Sequence, residues 1–173
     1  MSRPSAPHIP AAVLAAAIAL ANPAQSGGRA VSYLAPAGYC TGGRVQVMIC
    51  LHDYARREAR LPPLRLSHFL MRAARAKDSD IARCGFSHTA CGHPFEYRID
   101  QTGYRWTRAG ENLGFGTGSL GRARAIFSSW MRSPGHRANI LSPGFRDVGI
   151  AVRRVSFFGY PKGAVWVVEF GRA

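Results

Sequence analysis

The chain has 173 residues, 47% of them apolar and only 18% charged. That is enough apolar side chain for one domain with a full core and too little charge for a disordered polyelectrolyte, and two domains do not fit the length. The 23 Lys and Arg outnumber 9 Asp and Glu, giving a formal charge of +14. Nearly all of the cations are Arg, with Lys77 and Lys162 the only lysines. Arg forks suit phosphates and carboxylates, so an anionic partner is one reading and an Arg-rich solvated surface is the other.

In chain order, Arg3 and His8 precede an apolar run from Ile9 to Ala21. The run is too short to span a bilayer, but it has the size of a secretory h-region. Ala19-Leu20-Ala21 supplies a small-residue cleavage site, so residues 1–21 are expected to be a signal peptide and the protein to be secreted, with the cell envelope as a possible address. No later stretch could cross a membrane, and cleavage would remove only one cation, Arg3. Residues 22–43 carry five Gly and two Pro and read as an extended lead-in to a domain over 44–173.

That domain should open with a helix near Arg44. Val47, Cys50, Leu51 and Tyr54 fall on one face, Arg56 and Arg57 mostly off it, and Pro62-Pro63 stops the helix. Ser67 can cap a second helix that carries Leu70, Ala73, Ala74, Lys77 and Ile81 at helical spacing and ends at Cys84-Gly85. Pro94 opens a short helix to about Gln101. Leu120–Met131 is a further helix, with Ala123, Ile126, Phe127 and Trp130 on its apolar face, and Pro134-Gly135 ends it. Val148–Val155 and Ala164–Phe170 read as strands, and Ala109–Phe115 as a strand or an ordered loop. Early helices and late strands without a βαβ repeat indicate an α+β fold with a small antiparallel sheet.

Cys40, Cys50, Cys84 and Cys91 are an even count for an exported chain, which permits two disulfides in three pairings. A Cys84–Cys91 bridge is local and easy. Cys40 and Cys50 then pair by elimination, unless Cys50 is a buried thiol on its helix. There is no C-x-x-C and no tight Cys/His cluster to suggest structural zinc.

Three polar strings stand out: Phe86-Ser87-His88, Gly110-Glu111-Asn112, and Trp130 through Ser133-Pro134-Gly135-His136. With Leu61-Pro62-Pro63-Leu64, Gly103-Tyr104, Asp147-Val148-Gly149-Ile150 and Phe170-Gly171, they resemble, in order, the motifs of the CAP superfamily (cysteine-rich secretory proteins, antigen 5 and pathogenesis-related 1). The resemblance covers residues 44–173 and implies a three-layer α-β-α sandwich around a central antiparallel sheet. It also implies a cleft in which His88, Glu111 and His136 occupy three of four family positions. Ser133 stands where the fourth, an acid, is usual. Asp53 and Arg60 depart from the family's Asn and Gly near the first helix.

Three functions follow. The first is a non-catalytic extracellular protein whose His/Glu/His cleft binds a lipid or other envelope ligand. The second is a metal-dependent hydrolase or protease, with Zn²⁺ held by His88, Glu111 and His136 activating water. The third is an Arg-mediated binder of anionic cell-surface polymers. Export and the lack of interleaved aromatic and basic residues oppose nucleic acid. Ser133 lies in no nucleophile elbow, so serine catalysis is not expected.

Overall fold

The computed structural model describes residues 32–157 and 159–173; the expected signal peptide at 1–21 lies outside them. The elements are α1 (Arg44–Glu58), β1 (Arg65–Leu66), α2 (His68–Cys84), a 3₁₀ turn (Ala90–Gly92), α3 (Tyr97–Asp100), β2 (Arg108–Gly116), α4 (Ala123–Arg132), α5 (Pro134–Ile140), β3 (Asp147–Phe157) and β4 (Tyr160–Arg172).

The sheet runs β1-β3-β4-β2, so β2 is an edge strand. The β2–β4 and β3–β4 pairs are antiparallel, as expected, while the two-residue β1 pairs parallel to β3. Period-two alternation along β4 builds a core on each face. Trp166, Val168 and Phe170 pack with Leu51 and Ala55 of α1 and Ile126, Phe127 and Trp130 of α4. Val165 and Val167 pack with Ala74 and Ile81 of α2 and Leu113 of β2. Helices therefore cover both faces, and the domain is an α-β-α sandwich.

Three local readings need correction. The strip read on α1 is rotated: Met48, Leu51, His52, Ala55 and Arg56 are the buried positions. Arg56 can go inside because its guanidinium donates to the carbonyls of Pro62, Ile140 and Ser142 at 2.8–2.9 Å. A pattern read from apolar residue types alone misses a cation that arrives fully hydrogen-bonded. Pro134 does not simply end a helix but opens α5, as its preset φ favours at a first helical position. The short helix after Pro94 reduces to the single turn of α3.

On α2, Ser67 caps the helix by accepting from the Leu70 N–H, and Leu70, Ala73, Ala74, Lys77 and Ile81 are all buried. Ala109–Phe115 is a strand, within β2. Both expected disulfides form, Cys40–Cys50 tying the lead-in to α1 and Cys84–Cys91 closing the loop after α2.

Candidate functional site

The site is built on β2. Successive side chains of a strand point to opposite faces, so the neighbours Glu111 and Asn112 enter different layers. Small residues on this strand let α4 and the segment before β3 approach closely. A Cβ on Gly110 would lie 2.8 Å from the Phe145 ring, and one on Gly114 would lie 2.7 Å from Ile126.

On the α2 side, Glu111 accepts from or shares a proton with His88, whose Nδ1 lies 2.6 Å from Oε1. The other oxygen, Oε2, lies 3.7 Å from the Lys77 ammonium. Lys77 also donates to the His88 carbonyl, so one lysine fixes both members of the pair. Lys77 and Glu111 are buried, whereas the His88 side chain is 56% exposed. The Cys84–Cys91 bridge brackets the loop that carries His88. Below this group Glu169 of β4 stands opposite Glu111 in the strand register and is fully buried. Among the described residues neither Glu169 oxygen finds a donor within hydrogen-bond reach. Burial first, and then the charge of Glu111, push its carboxyl well above the usual range, so the neutral acid is favoured.

On the other side, α5 carries His136. Its Nδ1 lies 2.8 Å from Ser133 Oγ, and its ring stacks on Trp130 with centroids 6.3 Å apart. Trp130 in turn donates its indole N–H to the Leu113 carbonyl of β2 at 2.8 Å. Asn112 donates to the His136 carbonyl, and Asn139 donates to the Glu111 carbonyl and to Asn112 Oδ1. Two asparagines thus stitch α5 to the strand. Partial burial, aided by the charge of His88, lowers the His136 pKa. A neutral His136 can accept the Ser133 hydroxyl proton.

The four expected residues therefore fall into two pairs, His88 with Glu111 and Ser133 with His136, served by adjacent positions of one edge strand. Lys77, Glu169, Asn112 and Asn139 complete the constellation and were missed as site residues. Two of them left a signal: Lys77 is a cation inside an apolar helical stripe, and Glu169 is a carboxylate between Val168 and Phe170 in a buried strand.

The chemistry of the set is constrained. Among the described residues no group of three or more His, Cys, Asp and Glu is arranged to hold a metal ion. The expected His88/Glu111/His136 ligand set for Zn²⁺ is not among such groups, and the Lys77 ammonium lies 3.7 Å from the second oxygen of Glu111. Nor does the Ser133–His136 contact make a triad. The carboxylate of the site is committed to His88 and so does not orient His136.

Residues 49–170 match the model of the cysteine-rich secretory protein family. The chain belongs to that CAP family. It is 32% identical over 124 residues to the protein YkwD of Bacillus subtilis (strain 168), covering 69% of this chain and 44% of the relative. The chain thus spans less than half the length of that curated relative. Among solved structures it is similar to an outer surface protein of Borrelia burgdorferi, with a TM-score of 0.64 and 17% identity over 75% of this chain and 92% of the other. An extracellular SCP-domain protein of Bacillus anthracis superposes with a TM-score of 0.59 and 20% identity, over 74% of this chain and 40% of the other. A cysteine-rich secretory protein of Staphylococcus aureus gives 0.58 and 18%, over 73% and 37%. These likenesses carry the sandwich fold to the chain.

Proposed function

We propose that this CAP domain is an exported, non-catalytic binding protein that takes a lipid or other envelope component at the cleft formed by His88, Glu111, Ser133 and His136. The observation that carries the reading is the engagement of Glu111, which is bonded to His88 and faces the buried Lys77 ammonium rather than orienting His136. The cleft instead offers a recognition surface: an exposed imidazole on one side, and on the other a neutral imidazole stacked on Trp130. Two disulfides suit an oxidising compartment, and the related structures include an outer surface protein and an extracellular protein.

The test is retention of ligand. Purified protein is incubated with extracted bacterial envelope lipids, re-isolated by size exclusion and analysed by mass spectrometry beside His136→Ala. A lipid retained by the wild type and lost by the variant supports the reading. Equal retention by both, or none by either, overturns it.

A further inference from the structure

A groove of about 910 Å³ lies away from the cleft. It lies at the far ends of β2 and α4, where Gly116 and Ala123 line it, whereas Glu111 and Trp130 serve the cleft from the other direction. Arg44, Arg122, Arg124, Arg154 and Lys162 line it, and among the described residues no Asp or Glu does. These cations come from four separate segments: the starts of α1 and α4, β3, and β4.

Among the described residues, Arg44, Arg122, Arg154 and Lys162 have no ion-pair or side-chain hydrogen-bond partner. Arg124 is held in place, donating to the carbonyls of Ala35 and Pro36, which neutralises none of its charge. Two helices also begin at the groove wall. The α1 N-cap is Gly43 and the α4 N-cap is Arg122; neither end has a side-chain cap or an acid in its first turn. The positive ends of both helix dipoles add to the field of these cations. Gathering like charges without a counter-charge opposes folding, and a bound anion relieves that repulsion.

We propose that this groove is a second binding site, taking the phosphate groups of a chain-like anion. Guanidinium forks and helix-end N–H groups are matched to phosphate oxygens, and the spread of cations over four segments suits several linked phosphates better than one. The site shares no lining residue with the cleft, so it stands whether or not the cleft binds lipid.

The experiment is calorimetric titration of the full chain with tripolyphosphate and, separately, with inorganic phosphate, at low salt. Tripolyphosphate should bind saturably and about tenfold or more tighter than phosphate, with affinity falling as salt rises. The double variant Arg122→Ala, Arg154→Ala should weaken it about tenfold or more, the scale of one or two lost charge-assisted hydrogen bonds. Arg105→Ala with Arg172→Ala removes the same net charge from exposed positions outside the groove and should leave affinity within about twofold. Circular dichroism and thermal melts confirm that both double variants fold. Equal weakening by the two, equal affinity for phosphate and tripolyphosphate, or no saturable binding overturns the proposal. His136→Ala, the cleft variant, should bind tripolyphosphate like the wild type, so the two sites can fail separately.

Discussion

Glu111 and Glu169 face each other across the β2–β4 ladder, both buried, with the Lys77 ammonium beside them. Burial first, and then the charge of Glu111, push the fully buried Glu169 carboxyl well above the usual range, so it is the member of the pair that favours its proton.

Glu169 therefore makes stability depend on pH in a defined direction. A carboxyl whose folded pKa is raised binds its proton more tightly in the native state. The contribution is fully present below about pH 4.5, the unfolded value, and is lost as pH rises through the folded pKa. Glu169→Gln mimics the protonated acid. Denaturant melts should show it nearly as stable as the wild type at pH 4 and progressively more stable above that, by at most about 1.4 kcal/mol per pH unit. A difference that stays constant with pH would contradict the assignment.

Lys77→Met should be far more damaging than a surface lysine substitution. It leaves Glu111 without its cation and the His88 carbonyl without its donor, a loss of about 3–5 kcal/mol by analogy with other broken buried pairs. Urea denaturation measures it. In the intact protein, calorimetric titration with Zn²⁺ should show no saturable high-affinity binding, since no group of three ligands is arranged for it among the described residues.

Arg56 joins α1 to the end of α5 and to the turn that follows it. Its guanidinium is buried and reaches the carbonyls of Pro62, Ile140 and Ser142. Arg56→Lys cannot reproduce a planar fork, and Arg56→Ala leaves the carbonyls of Pro62, Ile140 and Ser142 without their donor. The alanine variant should lose about 3 kcal/mol or more and the lysine variant somewhat less, read as a shift in denaturation midpoint.

His52 governs an acid limb. It is fully buried among Phe127, Trp130 and Phe170, donates from Nδ1 to the Met48 carbonyl, and has its pKa lowered to about 4, chiefly by burial. The unfolded chain protonates this imidazole near pH 6.5 while the native state does not. Stability is thus complete above pH 6.5 and drains away as pH falls toward 4, by about 3 kcal/mol in all. An NMR titration should place the His52 midpoint near 4, and His52→Leu should flatten the acid limb of the stability profile.

The elements and the pairs of the site differed in how far the chain revealed them. Helical spacing marked α2 with its Ser67 cap, and β-rich runs marked β3 and β4, because burial on one or both faces leaves a local pattern. The ordered strings around His88, Glu111 and His136 carried the family and the cleft. Neither the Glu111–Glu169 encounter nor the convergence of Arg44, Arg122 and Arg154 is local. Each joins residues dozens of positions apart, through strand register or through the meeting of helix ends, and no window of sequence holds that information. Arg56 and His52 were obscured for a different reason: their burial depends on carbonyl acceptors and aromatic rings supplied by the rest of the fold.

The alternation of β2 has one more consequence. Glu111 and Asn112 are chain neighbours, yet one is bonded to a loop from the α2 layer and the other to a helix from the α4–α5 layer. Loosening either layer would withdraw its own histidine and leave the other in place. A single-residue slip of the strand would send both partners to the wrong faces. The two histidines therefore answer to different helical layers, each tied to the edge strand through its own neighbour in the chain.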